Sequence, residues 1–141
     1  MASTIQKFTI TAEAAKSVIE ASEAKARDLK VPMCTAIVDA DGNLKAFSRM
    51  DGAALLSVKI AQDKAYTAVG FGLSSKEWWD FIKDDGPLLH GITHADRLIV
   101  YEGGIPIKQD GQIVGGIGVS GGYYTQDQEC AEAGVEAFAE L

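Results

Sequence analysis

The 141-residue chain is poor in cysteine, histidine and positive charge, and each shortage removes a class of chemistry. Its two cysteines, Cys34 in an apparent strand and Cys130 on an apparent helix, form no cluster for zinc or iron-sulfur. Both read as buried small hydrophobes in apolar company, with a structural disulfide the lesser alternative. Its two histidines, His90 and His94, have no third ligand at recognisable spacing, so no metal centre is expected. Thirteen basic residues against 20 acidic ones leave a net charge of -7, with no local Lys/Arg cluster to relieve it. Such a surface repels phosphate backbones and anionic headgroups, which argues against nucleic-acid and membrane partners. No run approaches the roughly 20 apolar residues of a membrane span, and MASTIQKFTI has no basic region followed by an apolar one, so a cytoplasmic location is expected. Also missing are a Ser-His-Asp order with supporting motifs, a nucleophile elbow and a phosphate-binding loop.

What is present fits one compact domain over residues 1–141, since 47% of the residues are hydrophobic and no Ser/Pro/Gln-rich tract interrupts them. From Thr11 to Leu29, Ala15, Val18, Ile19, Ala26 and Leu29 recur at helical spacing, with Ser22 on the same stripe. MCTAIVDADGNLKAFSRM reads as strand, turn and strand around Asp41-Gly42-Asn43. After Asp51-Gly52, polar Lys59, Gln62, Asp63 and Lys64 are set against a narrow stripe including Ala54, Val58, Ala61, Ala65 and Ala68. Side chains this small let a helix axis lie close to a sheet. Ser74 and Glu77 form a capping box for a short helix carrying Trp78, Trp79, Phe81 and Ile82, stopped by Gly86-Pro87. RLIVYE from Arg97 and a hairpin about Asp110-Gly111 predict three further strands, and Thr125 with Gln128 predicts a capped closing helix. Hairpins favour antiparallel pairing, and helices at the start, middle and end can cover both faces. The expected fold is α/β in the α+β sense: a three-layer α/β/α sandwich on a five-stranded antiparallel sheet.

The candidate site residues gather around the glycines. Gly103-Gly104 permits positive φ and close backbone approach, as a bulge, a subunit contact or a ligand contact. Gly115, Gly116 and Gly118 lie within a strand and call for a close neighbour, either the Ala-rich helix or a flat ligand on the sheet. Ser120-Gly121-Gly122 runs toward the N-terminus of the last helix, where free amides suit a carboxylate or phosphate, although Thr125, Gln126 and Asp127 can cap that helix instead. The acid Asp127 opposes an anion and would instead orient a basic or hydroxyl-bearing group. Arg49 and Asp51 fall on one face at a strand end, as a surface ion pair or as a guanidinium fork for a ligand carboxylate. Lys64 and Tyr66 leave their helix on different faces, so at most one reaches the same pocket. His90 is the one candidate proton carrier, for catalysis near neutral pH, while Gly91 disfavours regular helix between the two histidines. Of the adjacent Trp78 and Trp79, one is expected in the core or an interface, and the group with Phe81 could wall a pocket.

SRMDGAALLSVKIAQDKAYTA (Ser48 to Ala68), GGIPI (Gly103 to Ile107) and GQIVGGIGVSGGYYTQDQECAEAGVEAF (Gly111 to Phe138), in that order, resemble the GlcG/HbpS family, which includes the C-terminal domain of PduO-type proteins. The resemblance runs from Thr11 to the end of the chain. It implies a profilin-like α/β/α fold, homo-oligomers and, for some members, haem; others are encoded beside catabolic enzymes. On that footing haem or a corrinoid is a candidate ligand, Arg49 a partner for a propionate, and His90 a weak candidate for the iron. The haem-binding histidine of PduO-type relatives lies near the N-terminus, where this chain has none. Three functions are compatible with these residues: an oligomeric small-molecule or cofactor-binding protein; a small catabolic enzyme using His90 as acid/base and Arg49 as carboxylate clamp on an oxygenated or aromatic substrate; and a structural or regulatory partner.

Overall fold

A computed structural model describes residues 2–141. Helix α1 spans Ala12–Leu29, with the Thr11 hydroxyl accepting from the Ala14 amide at 3.1 Å and Lys30 ending it in the left-handed region. Its buried residues are Ala15, Val18, Ile19, Ser22 and Ala26, the stripe that the spacing predicts. Strands β1 (Cys34–Asp39) and β2 (Leu44–Arg49) form the first hairpin, with Gly42 at φ +86°. The Asp39 carboxylate fixes the turn by accepting from the Asp41 and Asn43 amides. Helix α2 comes next at Leu55–Gly70, then α3 at Ser75–Ile82, whose Ser74–Glu77 capping box forms in both directions at 3.1 and 2.9 Å.

Gly86-Pro87 does mark a break after α3, but the chain beyond it is not a plain loop. Residues 86–91 make a six-residue helix, α4 (Gly86–Gly91), with Pro87 in its first turn, and a 3₁₀ turn succeeds it at Ile92–His94. The change of helix type at Gly91 separates the two histidines.

The sheet is completed by β3 (Gly104–Gln109) and β4 (Gln112–Ser120), joined through Asp110 and Gly111, both at positive φ. Its four strands run in the order β2-β1-β4-β3, all antiparallel, so the expected fifth strand is absent among the described residues. Residues 97–102 are apolar enough for a strand, but a helix side chain takes their hydrogen bonds. The Thr67 hydroxyl donates to the Arg97 carbonyl and accepts from the Ile99 amide, each at 2.9 Å, and Arg97 itself has φ +62°. The segment is laid along α2 and cannot extend the ladder.

Helix α5 (Tyr124–Ala139) closes the chain. Its start departs from the expected cap: the Gln126 side chain accepts from the Tyr123 amide, Thr125 is exposed, and Gln128 reaches across to the Gly103 amide. β1 shows how the sheet serves two cores. Cys34, Ala36 and Val38 pack with Ala61 and Ala65 of α2, whereas Ile37 packs with Val18 and Ile19 of α1 and Cys130 and Ala131 of α5. The two buried cysteines therefore belong to opposite faces and are free.

The glycines now have their occupant. A Cβ on Gly118 would stand 1.9 Å from the Ala61 carbonyl oxygen, one on Gly104 2.5 Å from that of Lys64, and one on Gly116 2.8 Å from that of Ala65. Ala36, Gly118 and Gly104 lie side by side across three strands, forming a strip without bulk on which α2 rests backbone to backbone. At the β3 border, Ser75 Oγ accepts from the Gly104 amide at 2.9 Å and contacts its carbonyl at 3.4 Å.

Candidate functional site

The close approach of α2 determines where Lys64 goes. Although the spacing sets Asp63 and Lys64 among the polar positions of this helix, both are buried, and Lys64 has no exposed surface at all. Its ammonium donates to the Val119 carbonyl of β4 at 2.9 Å and to Asp127 Oδ2 of α5 at 2.7 Å. Asp127 Oδ1 in turn accepts from the Gly122 amide at 3.0 Å. Burial lowers the Lys64 pKa, with the Asp127 charge partly restoring it, and burial raises the Asp127 carboxyl, opposed by Lys64. Desolvation thus opposes both charges, and the bond between them opposes desolvation.

Gly103 roofs this pair at φ +120°, where a Cβ would lie 2.7 Å from Lys64 Nζ and 2.6 Å from the Val119 oxygen. Above the ammonium, its Nζ 5.0 Å from the ring centroid, sits Tyr101. The phenol of Tyr101 is pushed up by burial, with the charges of Asp127 and Asp63 adding to the effect. Of the candidates that the sequence points to, Lys64, Gly103, Gly104, Gly122 and Asp127 thus come together. The anion at the start of α5 is the chain's own Asp127, and the Gly122 and Tyr123 amides are already donated. Gly121, at φ +146°, abuts the Pro32 carbonyl, and Ser120 sits in one row with Cys34 and Arg49 at the sheet end.

Arg49 and Asp51 stand apart from this group. Arg49 lies two strands from Ser120, about 10 Å in sheet spacing. Its Nε and one terminal nitrogen both donate to the Ala53 carbonyl at 3.3 Å, closing the turn into α2. Asp51 is exposed, and no ion pair joins it to Arg49. His90 and His94 are exposed on α4 and the 3₁₀ turn, and no group of three metal-ligating side chains exists among the described residues. Tyr66 leaves α2 on a different face from Lys64, as expected, and its ring centroid lies 3.9 Å from the Arg97 guanidinium.

A cleft of about 370 Å³ opens over Tyr101, between α3 and the start of α5, walled by Trp79, Val100, Tyr101 and Tyr124 with Lys76 and Glu102 at its margin. The tryptophans divide as anticipated: Trp78 is 5% exposed and Trp79 46%. A larger hollow of about 460 Å³ beside Ile10, Lys108 and Phe138 has no buried charged group at its floor. Periodicity and motif spacing do not single out Tyr101, Tyr124 or Lys76. The available signal is the flanking of tyrosines by glycine pairs, in YEGG and GGYY, which places aromatic rings on backbone that must bend sharply.

Residues 10–136 match the family described as haem degrading protein HbpS-like. The chain belongs to this family. A 15.0 kDa protein encoded in the dhaT-dhaS intergenic region of Citrobacter freundii shares 38% identity with the HbpS-like chain over 138 residues, 96% of each. The crystal structure of Klebsiella pneumoniae protein ORFY matches at 33% identity and a TM-score of 0.94, covering 100% of this chain and 98% of that one. The crystal structure of a PduOC:Heme complex matches at 29% identity and a TM-score of 0.82, over 92% and 94% of the two chains.

The cleft meets only part of what a haem requires. It offers a flat ring three aromatic walls, but its one lysine, Lys76, is paired with Glu102 at 3.8 Å, Asp80 adds a second carboxylate, neither histidine lines it, and the cysteines are buried in the cores. Of the side chains that hold haem iron, the cleft has only tyrosine, and the Tyr101 phenol is pushed up by burial and that of Tyr124 by hydrogen bonding to Tyr123, which opposes the phenolate that iron would need. The aromatic lining suits the macrocycle, and no histidine, cysteine or methionine in it suits the metal.

Proposed function

We propose that this HbpS-like chain is a cytoplasmic, homo-oligomeric small-molecule or cofactor-binding protein, and that its ligand lies in the aromatic cleft above the Lys64–Asp127 pair. The observation that carries the reading is the cleft itself: Trp79, Tyr101 and Tyr124 surround a space of ligand size on a floor fixed by buried ionic bonds. The likeness to PduOC, crystallised with haem, makes haem the first ligand to test, and the corrinoid suggested by family resemblance the second. Exposed Leu55, Leu56, Phe71 and Phe81 support assembly with further copies. The acidic balance and the lack of any helix long and apolar enough to cross a membrane, among the described residues, support the location.

The acid/base reading gains no support from His90, which is exposed and, among the described residues, pairs with no carboxylate. Arg49 and Asp51 remain proposed contacts only for a ligand that extends along the sheet end.

Native mass spectrometry of the protein purified from its own host, and then a haemin titration, tests the proposal. The expected result is an oligomer that takes up haemin with a displaced Soret band, and affinity about tenfold weaker in Trp79→Ala or Tyr124→Ala. Free-haemin spectra at every protein concentration would remove haem as the ligand. Unaltered uptake in both variants would remove the cleft.

A further inference from the structure

The Lys64–Asp127 pair lies beneath the cleft without entering it. Lys64 is wholly buried, whereas Tyr101 is 42% exposed and lines the cleft, so the tyrosine ring separates the ammonium from any ligand. Two of the three ammonium protons are committed to Val119 and Asp127. The third is left for the π-face of Tyr101, an arrangement that fixes a ring's tilt. The same Tyr101 lines the cleft together with Trp79 and Tyr124. The lining holds no histidine, cysteine or methionine to bind haem iron, only tyrosine.

We propose that this cleft recognises the flat face of a macrocycle and not its metal, with Lys64 acting as a positioning residue that fixes the Tyr101 ring from behind. The inference rests on the small-molecule reading and narrows its ligand class to planar, conjugated rings, metal-free or metallated. Stacking on preset aromatic walls depends on the area and polarisability of the ligand's face, which a central metal changes little. An axial bond, by contrast, would make affinity depend strongly on the metal.

The test compares haemin with metal-free protoporphyrin IX on the full chain in its native assembly, with porphyrin fluorescence and haemin absorbance as readouts. The expected dissociation constants agree within about threefold, a difference of less than half a decade in binding. Tyr101→Phe, which keeps the ring and removes the phenol, is expected to bind both ligands as the parent does, while Tyr101→Leu weakens both by about tenfold. His90→Ala and His94→Ala are expected to change neither.

Haemin bound more than tenfold tighter than protoporphyrin, or haemin affinity lost selectively in Tyr101→Phe or in a histidine variant, would overturn the inference while leaving the binding reading intact. Failure of both ligands would overturn the two together. The role of Lys64 is read from Lys64→Met/Asp127→Asn, in which no buried charge is left unpaired. Its effect on protoporphyrin affinity is expected in the parent and absent in a Tyr101→Leu background. Equal losses in both backgrounds would show a general structural effect and remove Lys64 from the mechanism.

Discussion

At the scale of single residues, the most consequential bond is the one between Lys64 and Asp127. Each is among the least exposed side chains of the molecule, and the pair ties α2 to both β4 and α5. Removing one partner leaves a charge with no solvent and no counter-ion, so Lys64→Met or Asp127→Ala is expected to cost about 3–5 kcal/mol in chemical denaturation. Lys64→Met combined with Asp127→Leu is expected to recover most of that loss, because apolar side chains of similar volume commonly stabilise a core as well as a buried ion pair does. A double variant as unstable as the sum of the singles would contradict this account. Both residues can be picked from the sequence as site members, yet their partnership cannot. They lie 63 positions apart, and local spacing places Lys64 on a polar face. The burial results from how near α2 sits, which is a property of the glycines opposite.

Elements are legible where a side-chain pattern and a terminus signal agree. Asp-Gly in the β3–β4 turn and Ser74 with Glu77 at α3 form the predicted backbone turn and hydrogen bonds. The missing fifth strand and the altered cap of α5 share one cause, a hydrogen bond between a side chain and backbone far apart in the chain. Thr67 takes the backbone of residues 97–99, and Gln128 is drawn from its own helix start to Gly103. Such long-range capture leaves no trace in local periodicity. The glycine strip gives the sharpest prediction at this scale. Gly118→Ala would place a methyl 1.9 Å from the Ala61 carbonyl, a backbone atom with little freedom to yield, so a loss of about 3 kcal/mol or more is expected. Gly70→Ala, at a helical position with nothing within 4 Å, is expected to be neutral or to stabilise by about 0.4–1 kcal/mol. Thermal denaturation of the two variants decides the matter, and similar melting temperatures would refute the close contact.

Over the whole molecule, the central question is whether the layers on either side of the sheet open together. Each layer carries its own reporter, Cys34 on the α2 side and Cys130 on the α1/α5 side. The Cys130 thiol is pushed up to about 11, first by burial and then by Asp127 and Glu129. Since only the thiolate reacts, neither covering nor ionisation favours its attack by alkylating agents at pH 8 in the folded state. If the sheet is one cooperative unit, both thiols are expected to be labelled at a common opening free energy, measured by mass spectrometry across a denaturant series. Cys34 reacting far ahead of Cys130 would mean that α2 lifts off its glycine bed separately.

The borders of the sheet carry a last consequence. A four-stranded sheet has two margins from which further strands could be recruited, and unguarded margins are where chains polymerise. One margin here is plugged by the Ser75 hydroxyl at Gly104 and carries Pro106, which has no amide proton to offer. The other, β2, presents exposed Lys45 and Arg49, so chains meeting along it would bring like charges together. Lateral growth is discouraged at both ends, and orderly association is left to the helical surfaces.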